Sequence, residues 1–156
     1  MGIPHAAVTT FSPSGFEQYG RRFLESFLKH WTIPIWVYYE GQKPDISDQR
    51  ITYVDLNGDA DRAAFMQRHA GKDQKDYRFQ IVRFAHKIFA LTDPNRLLEV
   101  EADCWIWLDA DIETIADVDE AFLGKVCPSG FVGSYLGRKD WHHSECGFVS
   151  YQKRYG

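Results

Sequence analysis

Trp105-Ile106-Trp107-Leu108-Asp109-Ala110-Asp111-Ile112-Glu113 decides how the rest of the chain is read. An apolar run of strand-forming residues, Cys104 to Leu108, stops abruptly at two carboxylates spaced i, i+2. A run that is apolar without alternation suits a strand buried on both faces, as in the middle of a parallel sheet. Ligands of such sheets bind in the crevice outside the carboxyl ends of the strands, where Asp109 and Asp111 fall. Uncompensated carboxylates are costly to bury, and a cation is their usual partner. Hard divalent ions such as Mg²⁺ or Mn²⁺ take oxygen ligands and sit between one or two carboxylates and substrate phosphates. The plainer alternative is a pair of solvated turn residues, with Asp117 and Asp119 continuing an acidic surface.

Upstream, Ala6 to Phe11 reads as a first strand closed by the turn signal Ser12-Pro13-Ser14-Gly15. Phe16 to His30 places Phe16, Tyr19, Phe23, Phe27 and Leu28 on one helical stripe, with Arg21, Arg22, Glu25 and Lys29 opposite. Pro34 to Tyr39 is a second strand ending at Glu40-Gly41, and Ile51 to Leu56 a shorter third. A polar helix over Ala60 to His69 is capped by Asp59. Tyr77 to Thr92 is the strongest helical pattern, with Ile81, Phe84, Ala85, Ile88 and Leu91 on its apolar side. Asp93-Pro94-Asn95 ends it, because the residue before proline avoids the α region. After the acid-tipped strand come a short helix near Val118 to Leu123 and two further strands, Phe131 to Tyr135 and Gly147 to Tyr151. Strands alternating with helices predict a mostly parallel, Rossmann-like α/β sheet flanked by helices.

The 156 residues fit one domain, and a net charge of −4 argues against a general nucleic-acid or anionic-membrane binder. No stretch reaches transmembrane length and no signal-peptide pattern follows Met1, so the cytoplasm is the default compartment. Cys104, Cys127 and Cys146 are odd in number and widely spaced, which signals neither a zinc site nor a disulfide framework. Gly147 to Tyr151 reads as a strand only a few residues before Gly156. That gives the expectation of a domain incomplete at its C-terminus, with apolar surface around Phe131, Val132, Phe148, Val149 and Tyr151 left to aggregate or to be buried in a homodimer.

A first strand ending Thr9-Thr10-Phe11, a second ending Tyr38-Tyr39-Glu40, a basic helix and then Leu108-Asp109-Ala110-Asp111 together resemble a glycosyltransferase of the GT-A fold. The likeness covers nearly the whole chain, and its sharpest element is the Asp-x-Asp motif behind a buried strand. The resemblance implies a nucleotide-sugar donor and an unknown sugar, lipid or protein acceptor. It implies that Asp111 ligates Mn²⁺ or Mg²⁺ on the donor diphosphate, with Asp109 contacting the metal through water or the ribose. Thr9, Thr10 and Phe11 would line the nucleotide pocket, and Glu40 would accept a hydrogen bond from base or ribose.

Arg83 and Lys87, i and i+4 on one helix, would face the diphosphate; their bland alternative is a solvated face. His86 beside them reads as surface. In the loop before the last strand, Glu145 is the candidate general base, with Asp140 second. His142 and His143 point opposite ways on an extended segment and do not chelate one ion. The metal-binding His that this family usually carries in a later segment is not in the chain. Two rivals remain: a non-catalytic, nucleotide-binding remnant of the same fold, and a phosphotransferase of the haloacid dehalogenase type. The latter wants Thr two residues after the second Asp, whereas Thr114 lies three after Asp111. No GxGxxG follows any strand, which disfavours a Rossmann oxidoreductase.

Overall fold

The computed structural model describes residues 3–71, 80–100, 102–137 and 145–153. The element order is β1 (Ile3–Phe11), α1 (Pro13–Gly15), a π-helical turn (Phe16–Gly20), α2 (Arg21–His30), β2 (Ile35–Tyr39) and β3 (Ile51–Asp55). A 3₁₀ turn (Leu56–Gly58), α3 (Ala60–His69), α4 (Ile81–Thr92), α5 (Pro94–Glu99) and β4 (Ala102–Leu108) follow. The chain continues with α6 (Glu120–Val126), β5 (Gly133–Leu136) and β6 (Glu145–Gln152).

One sheet of six strands runs in the order β3-β2-β1-β4-β6-β5. β1 pairs in parallel with both β2 and β4, and β2 in parallel with β3. β6 is antiparallel to both neighbours, so it alone runs against the other five. The fold is therefore the expected mostly parallel α/β sheet flanked by helices. The order departs from its ascending run beside β1, where the chain leaves β3 and returns to add β4 on the far side. This switch point leaves a crevice between the carboxyl ends of β1 and β4.

β1 and β4 occupy the centre, and their side chains alternate between two apolar layers. Ala7, Phe11, Cys104, Ile106 and Leu108 meet Phe23, Leu24 and Phe27 of α2 on one face. Ala6, Val8, Trp105 and Trp107 meet Trp36, Tyr38, Leu56 and Ala90 on the other. Burial on both faces explains the unbroken apolar sequence of β4. The helix expected from Phe16 starts earlier: the Ser12 hydroxyl accepts the Gly15 N–H, and Pro13 occupies the first turn. Phe16–Gly20 then runs as a π turn before α2. Asp59 caps α3 as expected, accepting from the Arg62 N–H.

α4 corrects the sequence reading. Phe84 and Ile88, assigned to the apolar side, are 58% and 57% exposed. The face turned inward carries the small residues Ala85 and Ala90. Polar anchors fix this rotation, since His86 and Lys87 on the inward flank make the contacts described below; Phe84 and Ile88 point away, while Phe89 and Leu91 still pack against the core. Asp93 ends α4 but also caps α5, accepting from the Asn95 N–H. The buried Arg96 guanidinium latches this elbow by donating to Tyr38 Oη at 3.0 Å and to the Ala90 and Leu91 carbonyls. The later elements shift slightly from expectation. Asp119 caps α6, which begins two residues later and ends three residues later than the predicted helix, and Phe131 and Val132 precede β5 as exposed residues.

Candidate functional site

Asp109 and Asp111 stand where the sequence placed them, just past the end of β4 at the switch point. The Asp109 N–H donates to the Gly147 carbonyl at 2.8 Å, which continues the β4–β6 pairing past Leu108 and fixes the direction of the carboxylate. Asp109 Oδ1 accepts the Trp107 indole N–H and lies 3.4 Å from Lys87 Nζ. Trp107 and Asp109 share a sheet face because they are two residues apart on one strand. The Lys87 ammonium also donates to the Cys146 carbonyl at 2.8 Å and sits 4.6 Å from the Trp107 ring centroid. Lys87 thus ties α4 to the end of β4 and to the start of β6. Asp109 is partly exposed and Asp111 exposed.

The residues fit a hard divalent ion that brings its own remaining ligands. Both acids offer oxygen, and among the described residues no third His, Cys, Asp or Glu gathers with them. Mg²⁺-type sites keep several waters and share the ion with substrate phosphates, so one or two carboxylates at an open rim suffice.

A cleft of about 330 Å³ opens at the carboxyl ends of β1 and β2, between the Ser12–Phe16 turn and the loop after β2. Phe11, Tyr39 and Glu40 form its floor and wall, with Arg21 and Lys43 at its margin. Neither Asp109 nor Asp111 lines it. The π turn forms one side of this cleft, at Phe16, and such turns recur at functional sites.

The other residues singled out in the sequence divide. Phe11 is buried yet reaches the cleft. Thr10 is half-buried and spends its hydroxyl on the Tyr38 carbonyl at 2.8 Å. Thr9 requires a correction: it is fully buried, and its hydroxyl donates to the Leu108 carbonyl at 2.7 Å. It clamps β1 to β4 and is not among the residues that line the cleft. Arg83 is exposed one helical turn before Lys87. Asp140 lies outside the described residues, as do His142 and His143. Glu145 opens β6, opposite Leu136 and two residues before the Gly147 carbonyl that receives Asp109; its side chain lies outside what the structure describes.

Glu40 has partners the sequence did not disclose. Its Oε2 accepts from Arg62 Nη2 at 3.0 Å and lies 3.6 Å from His86 Nε2. Arg62 Nε donates to His86 Nδ1 at 3.2 Å. His86 is therefore not a surface residue but part of a buried ionic knot joining β2, α3 and α4. Burial lowers its pKa, an effect opposed by the Glu40 charge and reinforced by Arg62. The signal available in sequence was position: His86 follows Ala85 on the small-residue face.

The Thr114 hydroxyl accepts the Trp31 indole N–H at 2.9 Å. No family model matches the chain, and no curated protein matches it either. Among the described residues no helix is long and apolar enough to cross a membrane.

Proposed function

We propose that this domain binds a nucleotide-sugar with Mn²⁺ or Mg²⁺ and transfers the sugar to a sugar, lipid or protein acceptor. The observation that carries the reading is the pair Asp109 and Asp111 at the carboxyl end of a central strand, at the switch point of the sheet, with a cleft at the same end of the neighbouring strands β1 and β2. The cleft suits the base and ribose, with Phe11 and Tyr39 supplying apolar wall. Both described contacts of the Glu40 carboxylate fall on Oε2, so Oε1 remains to accept from a ribose hydroxyl. Asp111 presents an exposed carboxylate to the ion, while Trp107 and Lys87 hold Asp109 in one orientation. The ion would supply Lewis-acid stabilisation of charge on the departing diphosphate. Lys87, with Arg83 one turn before it, would bind the same phosphates as a cation. Glu145, at the start of β6, would serve as general base toward an acceptor hydroxyl.

The test is metal-dependent release of nucleoside diphosphate from a panel of nucleotide-sugars. Release that requires Mn²⁺ or Mg²⁺ supports transferase or donor-hydrolase chemistry. Binding of a nucleoside diphosphate with no release from any donor moves the domain to the non-catalytic remnant reading. No metal-dependent binding by any nucleotide refutes both.

A further inference from the structure

At the amino end of the same central strands lies a cluster that the reading above does not use. His5 of β1 and Cys104 of β4 are register partners across the parallel pair. They are brought together by the fold, although nearly the whole domain separates them in sequence. Cys127, at the C-terminus of α6, descends onto the same face. The His5 ring nitrogen and the two sulfurs all lie within 4.8 Å of one another. Cys104 and Cys127 are 2% and 4% exposed, and His5 is half-buried.

We propose that His5, Cys104 and Cys127 form a binding site for a borderline-soft divalent cation of the Zn²⁺ class. The ligand set is right for such an ion: one imidazole and two thiols, with no hard oxygen ligand among the three. The spacing is close to what is needed. Bonds of about 2.3 Å to sulfur and about 2.0–2.1 Å to nitrogen spread tetrahedral ligands roughly 3.5–3.8 Å apart, so shifts on the order of an ångström close the set. The surroundings favour a cation as well. The two thiols lie close together beside the Ser150 hydroxyl, and the charges of Glu120 and Asp103 act on the His5 ring. Neighbouring carboxylates and hydroxyls of this kind orient metal-bound imidazoles and thiolates.

Three protein ligands leave a fourth position for water or the Ser150 oxygen. The site's place argues for a structural staple, not a catalytic ion. Five residues of strand separate Cys104 from Asp109, about 16 Å at the usual rise, so this ion sits at the opposite end of the sheet from the donor acids. Bound there, it would tie β1, β4 and α6 together in a layer whose α6 contacts are otherwise few.

The experiment is a Co²⁺ titration of chelator-treated, thiol-reduced protein. Saturation at one ion per chain should bring a near-ultraviolet thiolate-to-cobalt charge-transfer band with the visible bands of tetrahedral cobalt, and Zn²⁺ should then displace the cobalt. Cys146→Ser, which removes the exposed thiol, should leave the spectrum intact. His5→Ala, at the half-exposed edge of the cluster where folding is least at risk, should weaken cobalt binding at least tenfold while circular dichroism stays unchanged. Absence of the charge-transfer band in the wild-type protein overturns the proposal. So does a band that survives in folded Cys127→Ser or is lost in Cys146→Ser.

Discussion

Asp111→Asn and Asp109→Asn lie only two positions apart, yet the structure separates their consequences. Among the described residues Asp111 makes no hydrogen bond or ion pair and is exposed, so its replacement should change unliganded stability by less than about 0.5 kcal/mol. Asp109 holds the Trp107 indole and the Lys87 ammonium through Oδ1. Asparagine keeps an acceptor oxygen but loses the charge. A hydrogen bond to a charged group is worth about 1.5–3 kcal/mol against roughly 1 for a neutral one. The Lys87 pair adds only about 0.2–1 kcal/mol, because the Asp109 side chain is 39% exposed and solvent screens it. Asp109→Asn should therefore cost on the order of 1–2 kcal/mol.

Ligand reverses the ranking. A nucleoside diphosphate with Mn²⁺ at a hundred times its dissociation constant stabilises the folded state by about 2.7 kcal/mol. That increment should vanish in Asp111→Asn, whose unliganded stability is normal. Urea unfolding with and without Mn²⁺ and each member of a nucleoside diphosphate panel reads both numbers. If Asp111→Asn lost more than about 1 kcal/mol without ligand, or kept the full ligand increment, Asp111 would be a structural residue and the metal argument would fail.

Two further outcomes follow from the α4 contacts. Lys87→Met, which keeps the stem over Trp107 but removes the charge, should weaken nucleotide binding severalfold at low salt and less at high salt, with Arg83→Ala smaller in the same direction; titration calorimetry at two ionic strengths checks it, and a salt-independent change below about twofold would return both cations to a solvated role. His86 is lowered below its ordinary 6.5 by burial first, so its folded form resists protonation. Its stabilising contribution is then complete above 6.5 and lost as pH falls through the depressed value, with a slope of at most about 1.4 kcal/mol per pH unit. His5 is also lowered by burial, so the comparison of wild type with His86→Gln in urea melts isolates the His86 part, and superimposable pH profiles would refute it.

The sheet was legible because its signals are local. The unbroken apolar run of β4 reflects burial on both faces, and the Asp59 cap of α3 is a one-residue side-chain bond to the backbone. What was not legible depended on partners far away in sequence. The rotation of α4 is decided by Ala85 and Ala90 meeting β1 and by the Arg62–His86–Glu40 knot, so hydrophobic periodicity alone put Phe84 and Ile88 on the wrong side. Thr9 looked like a pocket residue because it ends a strand. Only the β1–β4 pairing shows that its hydroxyl is bonded to the Leu108 carbonyl. The contact of Lys87 with Asp109 was likewise invisible in sequence, because it needs the crossover that places α4 over β1 and beside the end of β4.

The two ends of β4 also select ions by different chemistry, which bears on how any metal effect is to be interpreted. Asp109 and Asp111 offer carboxylate oxygens at an open rim, a set suited to a hard ion that keeps its water. Cys104 offers a buried thiol beside His5 and Cys127, a set whose chemistry favours Zn²⁺-class ions over Mg²⁺. A stabilising effect of Zn²⁺ therefore says nothing about the carboxylate pair, and a Mg²⁺ or Mn²⁺ effect that needs nucleotide says nothing about the thiols. The strand between them is rigid and packed on both faces, so the amino-end cluster bears on the acids only by fixing β4 against β1. That register is the same one that sets Thr9 against Leu108 and carries Asp109 to the rim of the crevice.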